Sequence, residues 1–594
     1  MSGEPRPRAN DIVQAWRILN KDERRIALLV FLSLIIGTGL ELVSLGLFMP
    51  VVSVLASDTF TSDYPWLADL IGTTDELGMT IRVFGLLAFV FLVKSVYVAW
   101  SVWFQRGFAT RIEYRLSTHL FRSYTSRPYT FHLANNSSVL IRNIGMAGQF
   151  VSLTIDSLLV LGTDGAVLIA IVVFLVVIEP VGTTVVVIVL GVTAVCFHMI
   201  TRSRIQDWGS RRLIHEGRKI QYLQEGFGAI KEIKVLGRED EFIGRFDSEV
   251  SQTTRINRGY STLTALPRIW LEFLTLLGLA VLVTVLVSQG RELSETLPIL
   301  GVFAAGSFKV MPSMNRIIFA VQNFRYSRSI LTSLATDLDA LSESCHPLRQ
   351  ERNGLKSAIE FCDVHYSYPG SEIEAVAGMS FTVRSGDSVG FVGSSGAGKS
   401  TLVDLLLGLL SPSAGEVLFD GKVRGSANGG GACFIGYVPQ TIYLTDDSIR
   451  RNVAFGVPEG EINEDRLQEA IKQASLSEFV RQLPDGLHTQ LGERGVRLSG
   501  GQRQRIGIAR ALYLDPAVLV LDEATSSLDI LTEEQIVREI AAMKGARTLI
   551  IVAHRFTSVS LCTSVHQVED GRIVRSGTAA EVISAIELLQ RREN

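Results

Sequence analysis

The sequence predicts a chain in two parts, an all-α membrane domain of six spans followed by an α/β domain of the P-loop type. Six apolar runs before residue 325 are each long enough to cross a bilayer core, which takes about 20 apolar residues. They are followed by GSSGAGKS at Gly393–Ser400, which matches the phosphate-binding pattern G-x-x-x-x-G-K-[S/T]. At 594 residues the chain is also too long for a single domain.

Composition narrows the class further. Charged residues make up 20% of the chain, below the roughly 25% of an average soluble domain. The net charge of −3 gives no reason to expect a nucleic-acid partner. The cysteines show no metal or redox spacing, so reduced thiols are expected. No cleavable signal peptide is expected, because the first apolar run is too long for one.

The six runs define the membrane half. They are, in order, Ile26–Leu55, Val83–Trp103, Phe150–Ile178, Val181–Ile200, Leu263–Val287 and Leu297–Val321. The connection at 56–80 has no Lys or Arg, whereas the N-terminal segment and the second and fourth connections are rich in them. Because basic residues favour the cytoplasmic side, both termini and the α/β domain are expected in the cytosol.

Shorter segments complete the predicted organisation. Asn10–Leu19 places Ile12, Val13, Trp16 and Leu19 on one helical face, which indicates a helix on the inner membrane surface or a surface helix of no special role. A polar helix is expected at Tyr326–Leu341, followed by a breaker-rich linker. The predicted boundaries are therefore 1–341 for the membrane domain, 342–356 for the linker and 357–594 for the nucleotide-binding domain.

The P-loop assigns roles to several residues. Lys399 is expected to bind the β- and γ-phosphates, and Ser400 to ligate Mg²⁺ through its hydroxyl. A helix should begin just after the loop, at Thr401–Leu410, and add its positive N-terminal end to the anion site. The residues expected to contact the nucleotide here are Gly393, Ser394, Ser395, Gly396, Ala397, Gly398, Lys399, Ser400 and Thr401.

A pair of acids follows a second apolar strand. Val518–Leu521 is continuously apolar, as a buried parallel strand should be, and Asp522 and Glu523 come directly after it. Phosphoryl transfer needs a group that holds the metal and a group that orients the attacking water. Asp522 fits the first role and Glu523 the second, as general base. The alternative, that both acids only cap a helix, is weak after four apolar residues.

Three motifs together resemble the ATP-binding cassette (ABC) family: the P-loop, LSGGQ at Leu498–Gln502, and LVLDEATSSLD at Leu519–Asp529. The resemblance implies that Tyr368 stacks on adenine, that Gln440 touches Mg²⁺ and the attacking water, and that His554 contacts the γ-phosphate and is catalytic with Glu523. It also implies contacts to the ATP held by the opposite subunit, made by Ser499, Gly500, Gly501, Gln502 and Asp529. The expected ligands are thus ATP and Mg²⁺, and the expected assembly is a homodimer with two equivalent sites.

The family resemblance extends to the exporter branch, through LGERG at Leu491–Gly495 and six long spans before the ATPase. In exporters the second and fourth connections reach into the cytosol and dock on the ATPase. The resemblance places the tips of these loops near Ser126–Ser138 and Leu236–Phe246.

Basic residues inside the spans are the least expected feature. Lys94 and Lys309 lie near mid-span, Arg316 shares a helical face with Lys309, and Arg268 lies near the inner end of the fifth run. A charge at the bilayer centre costs about 2.5–3.5 kcal/mol on insertion scales and usually faces a cavity or a partner. One interpretation is a basic cavity for an anionic head group. The other is internal pairing, with Asp164 near the third span's centre and with Glu272, four residues after Arg268.

A narrower resemblance concerns the substrate. LPRIWLE at Leu266–Glu272, KVMPSMNRI at Lys309–Ile317 and TLVDLLLGLLSPSAGEVLFDG at Thr401–Gly421 resemble the lipid-linked oligosaccharide flippases of bacterial protein glycosylation. This implies a multi-pass protein of the cytoplasmic membrane that moves a polyprenyl-pyrophosphate-linked sugar from the inner to the outer leaflet. A pyrophosphate is the ligand that an arginine/lysine cavity would bind. A short outer helix at Asp63–Thr73 would then contact the polyprenyl tail or simply cap the helix ends.

Two other functions stay open. The first is an exporter of drugs, peptides or other lipids with the same fold. The second is a regulatory ABC protein whose ATPase gates a partner. The basic residues in the spans favour the flippase over the generic exporter, and the presence of Glu523 and His554 favours ATP turnover over pure regulation.

Overall fold

The computed structural model describes residues 11–47, 50–51, 64–65, 67, 69, 72, 76–178, 180–288, 293–341, 354–423, 435–524, 536, 538–540, 542–543, 545–553, 556–560 and 562–593. At several helical positions, most of them between 279 and 308, the backbone alone is described. The chain divides into two compact units, one of residues 1–127 and 132–345 and the other of residues 128–131 and 346–594.

The described residues before position 342 are mostly helical. The helices are α1 (Asp11–Ile18), α2 (Lys21–Gly46), α3 (Glu76–Thr125), α4 (Tyr129–Ala134), α5 (Ser137–Phe150), α6 (Asp156–Ile178), α7 (Pro180–Gly228), α8 (Ile230–Leu236), α9 (Glu239–Ser288), α10 (Leu293–Tyr326) and α11 (Arg328–Leu341). A π-helical turn at Val151–Ile155 joins α5 to α6.

Several of these helices have the length and composition of membrane spans. Within the described residues, four stretches qualify: Lys21–Gly46, Gly78–Thr125, Ser137–Val177 and Val187–Gly228. The fifth and sixth predicted runs fall inside α9 and α10, parts of whose side chains lie outside the described residues. The chain is a multi-pass membrane protein, and its long helices extend well beyond the apolar runs.

The N-terminal helix differs slightly from its prediction. Ile12, Val13 and Trp16 are exposed on α1, but Leu19 is buried and follows the helix end. The next helix, α2, begins with a capping box in which Asn20 and Glu23 satisfy each other's backbone N–H groups. The exposed apolar face of α1 is therefore shorter than the sequence pattern indicated.

Two of the predicted segments are only partly described. Most of the Asp63–Thr73 helix lies outside the described residues, but Leu67 is buried against Val51, Met79 and Val83. Of the predicted linker, only residues 354–356 are described.

The described residues of the second unit form two sheets. Its strands are β1 (Ala358–Ser367), β2 (Glu374–Arg384), β3 (Ser388–Val392), β4 (Ala414–Phe419), β5 (Lys422–Val423), β6 (Ile435–Val438), β7 (Val518–Asp522), β8 (Thr548–Val552), β9 (Ser564–Glu569) and β10 (Arg572–Gly577). An antiparallel sheet has the order β2-β1-β4-β5, and a second sheet has the order β10-β9-β3-β8-β7-β6.

Helices lie between and after these strands in the described residues from 399 to 593. They are α12 (Lys399–Leu407), α13 (Ile449–Val453), α14 (Glu464–Gln473), α15 (Ser477–Gln482), α16 (Gly500–Tyr513), α17 (Phe556–Val559) and α18 (Ala579–Glu593). The helix predicted after the P-loop corresponds to α12.

Parallel pairing positions the site. Within the second sheet β9, β3, β8, β7 and β6 are parallel neighbours, and every residue of β3, β7 and β8 is buried. Of these strands, β7 is the continuous apolar run that the sequence predicted to be buried. Because parallel strands end at one edge of a sheet, the residues that follow β3, β6, β7 and β8 meet there. Ligands bind at this edge in open α/β sheets.

Candidate functional site

The P-loop joins β3 to α12 and folds around the side chain of Lys399. The buried Lys399 Nζ donates hydrogen bonds to the carbonyl oxygens of Gly393 (2.9 Å) and Ser394 (2.8 Å). Burial lowers the pKa of Lys399, while the carboxylates of Glu523 and Asp522 act in the opposite direction. The ammonium group therefore lies at the mouth of the loop, within the field of both carboxylates, where it can meet a phosphate.

Two glycines make this loop possible. A Cβ at Gly393 would lie 2.2 Å from the Val568 carbonyl oxygen, and one at Gly398 would lie 2.3 Å from the Ala375 carbonyl oxygen. Gly398 also has φ +99°, in the left-handed region. The loop thus packs directly against neighbouring backbone, which holds its amides in fixed directions beside the N-terminus of α12.

The two acids at the end of β7 have different surroundings. Asp522 is buried and accepts a 3.4 Å hydrogen bond from the hydroxyl of Tyr437. Glu523 has φ +49°, an uncommon backbone conformation for a residue with a side chain, and its N–H donates to the Val552 carbonyl oxygen (2.9 Å). Such outliers cluster at functional sites. The bend separates the directions of two consecutive carboxylates.

Glu523 has a specific side-chain partner. Gln440 Nε2 donates to Glu523 Oε2 at 2.7 Å, across 83 positions of sequence. Gln440 follows β6 and Glu523 follows β7, which are adjacent parallel strands. The structure thus brings together Lys399, Asp522, Glu523 and Gln440 as the sequence indicated.

Tyr368 lies beside the same helix. Its hydroxyl is 3.2 Å from the hydroxyl oxygen of Thr401, the third residue of α12, and its exposed ring stands edge-on against Tyr366. A flat aromatic surface therefore stands next to the P-loop helix, as expected for a residue that stacks on a base.

Asp404 was missed by the sequence analysis. It lies on α12 within an otherwise apolar stretch, and burial together with the negative charge of Asp522 raises its pKa to about 6. The signal was present, because TLVDLLLG places a single acid in a buried helix.

The LSGGQ segment begins α16. Ser499 caps the helix, since its hydroxyl accepts from the N–H of Gln502 (3.2 Å) and the Gln502 side chain accepts from the N–H of Ser499 (2.9 Å). Gly500 and Gly501 form the first turn. His554 and Asp529 lie outside the described residues, so their roles remain predictions.

The four basic residues predicted to bind the substrate, Lys94, Arg268, Lys309 and Arg316, each lie beside an acid. Lys94 Nζ is 2.9 Å from Glu41 Oε2, and Lys309 Nζ is 2.8 Å from Glu41 Oε1. The sequence analysis missed Glu41, a lone acid in the middle of the first apolar run, although that position was itself a signal. The single carboxylate joins α2, α3 and α10.

The two arginines form one pair each. Arg316 contacts Asp164 through two nitrogens, at 2.9 and 2.5 Å, and Arg268 lies 3.1 Å from Glu272 on an exposed face of α9. These are the partners that the pairing interpretation named. Pairing leaves part of the cations accessible, however, since the side chains of Lys309 and Arg316 are 42% and 55% exposed while Glu41 and Asp164 are 14% and 10% exposed.

A cavity of about 460 Å³ lies among α2, α3, α6 and α10. Glu41, Asp164 and Arg316 line it, together with hydroxyl groups such as those of Thr38 and Tyr97. A polar cavity that large can hold water or part of a ligand. The carboxylate of Glu41 therefore borders open space.

Fold and site together define the class of the protein, a helical membrane domain joined to a P-loop ATPase. Residues 27–308 match the family model described as the ABC transporter transmembrane region. Residues 376–526, in the P-loop domain, match the family model described as ABC transporter. The chain belongs to the ABC transporter family and carries the two domains of an exporter half-transporter.

Several proteins similar in sequence to this chain are ATP-dependent flippases. An ATP-dependent lipid A-core flippase of Saccharophagus degradans is 33% identical over 364 residues, which is 61% of this chain and 61% of that protein. Flippases of the same name from Cupriavidus pinatubonensis and Cupriavidus metallidurans are each 27% identical, over 94% and 97% of this chain and 93% and 95% of their own length. The chain thus spans less than two thirds of the first relative in that alignment and nearly all of the other two.

One solved structure shows the fold over the full chain. The structure of a bacterial Atm1-family ABC exporter with ATP bound superposes with a TM-score of 0.76, covering 96% of this chain and 98% of that one at 21% identity. At that identity the likeness concerns the fold alone.

Proposed function

We propose that this chain is an ATP-driven flippase that works as a homodimer in the cytoplasmic membrane and moves an anionic lipid-linked oligosaccharide, a polyprenyl-pyrophosphate sugar, from the inner to the outer leaflet. The observation that carries the proposal is the pair of accessible cations on α10, Lys309 and Arg316, each supported by a more buried acid. The names of the relatives support the coarser part, ATP-driven movement of a glycolipid.

ATP binding follows from the P-loop geometry. Lys399 would exchange its carbonyl acceptors in the loop for β/γ-phosphate oxygens, and the amides of Gly393–Thr401 would surround the phosphates. Tyr368 would provide a stacking surface for adenine. Each of these groups is fixed before ATP arrives, so little ordering is needed on binding.

The donors near the phosphate site fit Mg²⁺. The Ser400 hydroxyl, the Gln440 amide and the Asp522 carboxylate all offer hard oxygen atoms, which Mg²⁺ prefers. When bound, the ion would neutralise charge on the phosphates. Glu523 would orient the attacking water and take up its proton, and the hydrogen bond from Gln440 would hold the Glu523 carboxylate in position. His554 would contact the γ-phosphate.

Dimerisation is proposed from the motif count. One chain carries one P-loop and one LSGGQ segment. In the proposed homodimer Ser499, Gly500, Gly501, Gln502 and Asp529 would face the ATP bound to the partner, where the N-terminus of α16 adds a second anion site.

The substrate site is proposed in the membrane unit. Lys309 and Arg316 are seven residues apart, two turns of α10, so both heads lie on nearly the same face and can hold the two phosphates of a pyrophosphate. Lys94 lies behind Lys309, and Arg268 would contact the head group near the cytosolic entrance. The buried acids orient the cations rather than abolish the site.

The experiment is flipping of a labelled polyprenyl-pyrophosphate oligosaccharide by purified protein in liposomes. Lys309→Ala and Arg316→Ala should each reduce flipping at least tenfold while the basal ATPase rate stays within about twofold, since neither residue belongs to the ATP site. Arg211→Ala is the control, because Arg211 makes an exposed pair with Asp207, four residues earlier on α7, and belongs to neither the ATP site nor the proposed substrate site. Unchanged flipping in both alanine variants would leave an exporter of other lipids as the better function.

Folding must be separated from binding in this experiment. Arg316→Ala leaves Asp164 without its guanidinium, and an unpaired buried charge is strongly destabilising. Adding Asp164→Asn should restore the yield of folded protein but not the flipping. Recovery of flipping in the double variant would contradict a direct role for Arg316.

A further inference from the structure

We infer that Glu41 acts as an internal counter-ion that competes with the anionic substrate for Lys309, so that the substrate can leave after translocation. This inference rests on the proposed function and assigns a role to a residue outside the substrate contacts named above. It follows from how unequally the two lysines around Glu41 are held.

Lys94 is the fixed member of the cluster. Its side chain is 8% exposed, its Nζ bonds Glu41 Oε2 at 2.9 Å and lies 3.4 Å from the Ser44 hydroxyl, and the ring of Phe91 is 4.5 Å away. A buried ammonium held by a carboxylate, a hydroxyl and an aromatic face is costly to release. Lys94 therefore anchors the Glu41 carboxylate through one of its two oxygens.

Lys309 is the exchangeable member. It bonds the other oxygen, Glu41 Oε1, at 2.8 Å, but its side chain is 42% exposed. An anion that approaches the exposed side of Lys309 can replace Oε1 while Oε2 stays on Lys94. Glu41 also borders the 460 Å³ cavity, so its carboxylate has open space beside it.

The charge balance explains why such a competitor is useful. Two ammonium groups and one carboxylate leave the cluster with one net positive charge. Without Glu41 the cluster would carry two, in a medium where an unpaired charge is expensive. An anionic head group would then bind tightly and leave slowly, because its departure would expose two uncompensated lysines. With Glu41 present, Oε1 returns to Lys309 as the anion departs.

Affinity and rate should consequently move in opposite directions. An interaction that stabilises the bound state and the transition state of transport equally lowers the substrate concentration needed for half-saturation. It does not speed the transport step. The ion pair between Glu41 and Lys309 is worth about 1 kcal/mol. Removing Glu41 as a competitor should therefore raise the affinity for the anionic substrate about fivefold. A residue that only supports the fold would change neither value in the fraction that remains folded.

The test uses full-length protein in liposomes and polyprenyl-pyrophosphate oligosaccharide as the probe. In Glu41→Gln, the lipid concentration for half-maximal ATPase stimulation should fall about fivefold and the maximal flipping rate should also fall about fivefold or more. Glu41→Asp keeps the charge and should keep both values within about twofold. Unchanged half-saturation and rate in folded Glu41→Gln would overturn the inference.

A second variant covers the case in which Glu41→Gln fails to fold. Glu41→Gln combined with Lys94→Met removes the stranded buried lysine and keeps the net charge of the cluster at one. It still leaves Lys309 without the carboxylate that competes with the anion, so binding tighter and flipping slower than in the wild type are expected from the loss of competition alone. Wild-type rates in this double variant would refute the role of Glu41. Failure of the proposed function is recognised separately, because wild-type protein itself would then show no stimulation by the pyrophosphate lipid.

Discussion

Gln440 Nε2 and Glu523 Oε2 lie 2.7 Å apart, and this hydrogen bond ties the end of β6 to the end of β7. It fixes the rotation of the carboxylate that the site offers to an attacking water. The two residues have different roles in the proposed reaction. Glu523 carries the carboxylate that would take up the proton, and Gln440 holds that carboxylate in position.

We therefore predict unequal effects at these two positions. Glu523→Gln should keep ATP binding and lower turnover by about two to four orders of magnitude, the usual value of general acid–base catalysis. Gln440→Ala should lower turnover less, about tenfold, because the carboxylate remains and only its orientation is lost. Steady-state phosphate release and binding of a fluorescent ATP analogue measure the two effects. Wild-type turnover in Glu523→Gln would reject its assignment as general base.

The P-loop glycines offer a matched pair of alanine substitutions. Both Gly396 (φ +83°) and Gly398 (φ +99°) have left-handed backbones, but a Cβ at Gly398 would lie 2.3 Å from the Ala375 carbonyl oxygen while one at Gly396 would meet open space. Gly396→Ala should cost only about 1–2 kcal/mol of conformational strain and retain ATP binding. Gly398→Ala must also displace backbone, so we expect loss of measurable ATP binding. Equal binding by the two variants would mean that the loop adapts freely.

Composite sites predict a specific pattern in mixed dimers. If each site combines the P-loop of one chain with Ser499 of the other, a dimer of Lys399→Ala and Ser499→Arg chains keeps one intact site. A dimer of a doubly substituted chain with a wild-type chain keeps none. Two affinity tags allow both mixtures to be purified and their ATPase rates compared. Sites built within single chains would give the reverse order of activities.

Asp404 predicts a pH dependence of stability. Its pKa in the folded protein is raised to about 6, above the ordinary value near 3.9, so the native state binds the proton more tightly than the unfolded state does. The stability gained from protonation is therefore present below about pH 4 and is lost as pH rises through about 6. Asp404→Asn should stabilise the ATPase domain by roughly 1–3 kcal/mol at pH 7.5 and by almost nothing at pH 4.

Scanning calorimetry of the detergent-solubilised protein at several pH values checks this prediction. The unfolding temperature of the transition assigned to the ATPase domain should rise in the variant above about pH 4 and reach its full increase above about pH 6. A shift of equal size at all pH values would show that the substitution acts through packing instead.

Most of the predicted features of the ATPase domain followed from short stretches of consecutive residues. The strand at Val518–Asp522 ends within one residue of the position predicted for it, because a continuous apolar run followed by polar residues fixes the end of a buried strand. The P-loop geometry was likewise encoded within a few consecutive residues. The structure of such motifs can be predicted from the sequence because their contacts join residues that are close together in the chain.

The ion pairs of the membrane unit were harder to predict from the sequence, because most of them join residues that are far apart in the chain. Lys94 and Lys309 reach Glu41 from 53 and 268 positions away, on three different helices, and no spacing rule connects them. Depth in the bilayer indicated that each charge needed a partner or a cavity but not which. Arg268 and Glu272 were paired correctly because four residues along one helix bring side chains together whatever the tertiary fold.

The complete burial of β3, β7 and β8 has a consequence for how the ATPase domain opens. Backbone amides in such central strands exchange with deuterium only when the whole cooperative unit unfolds, whereas loops and termini exchange through small local openings. Lys399 lies near the end of the P-loop that follows β3, Asp522 is the last residue of β7 and Glu523 comes directly after it, so their framework belongs to the slowest-exchanging part of the domain. Gln440, after β6, approaches from the neighbouring strand at the sheet's edge, where fraying can move it without unfolding the site.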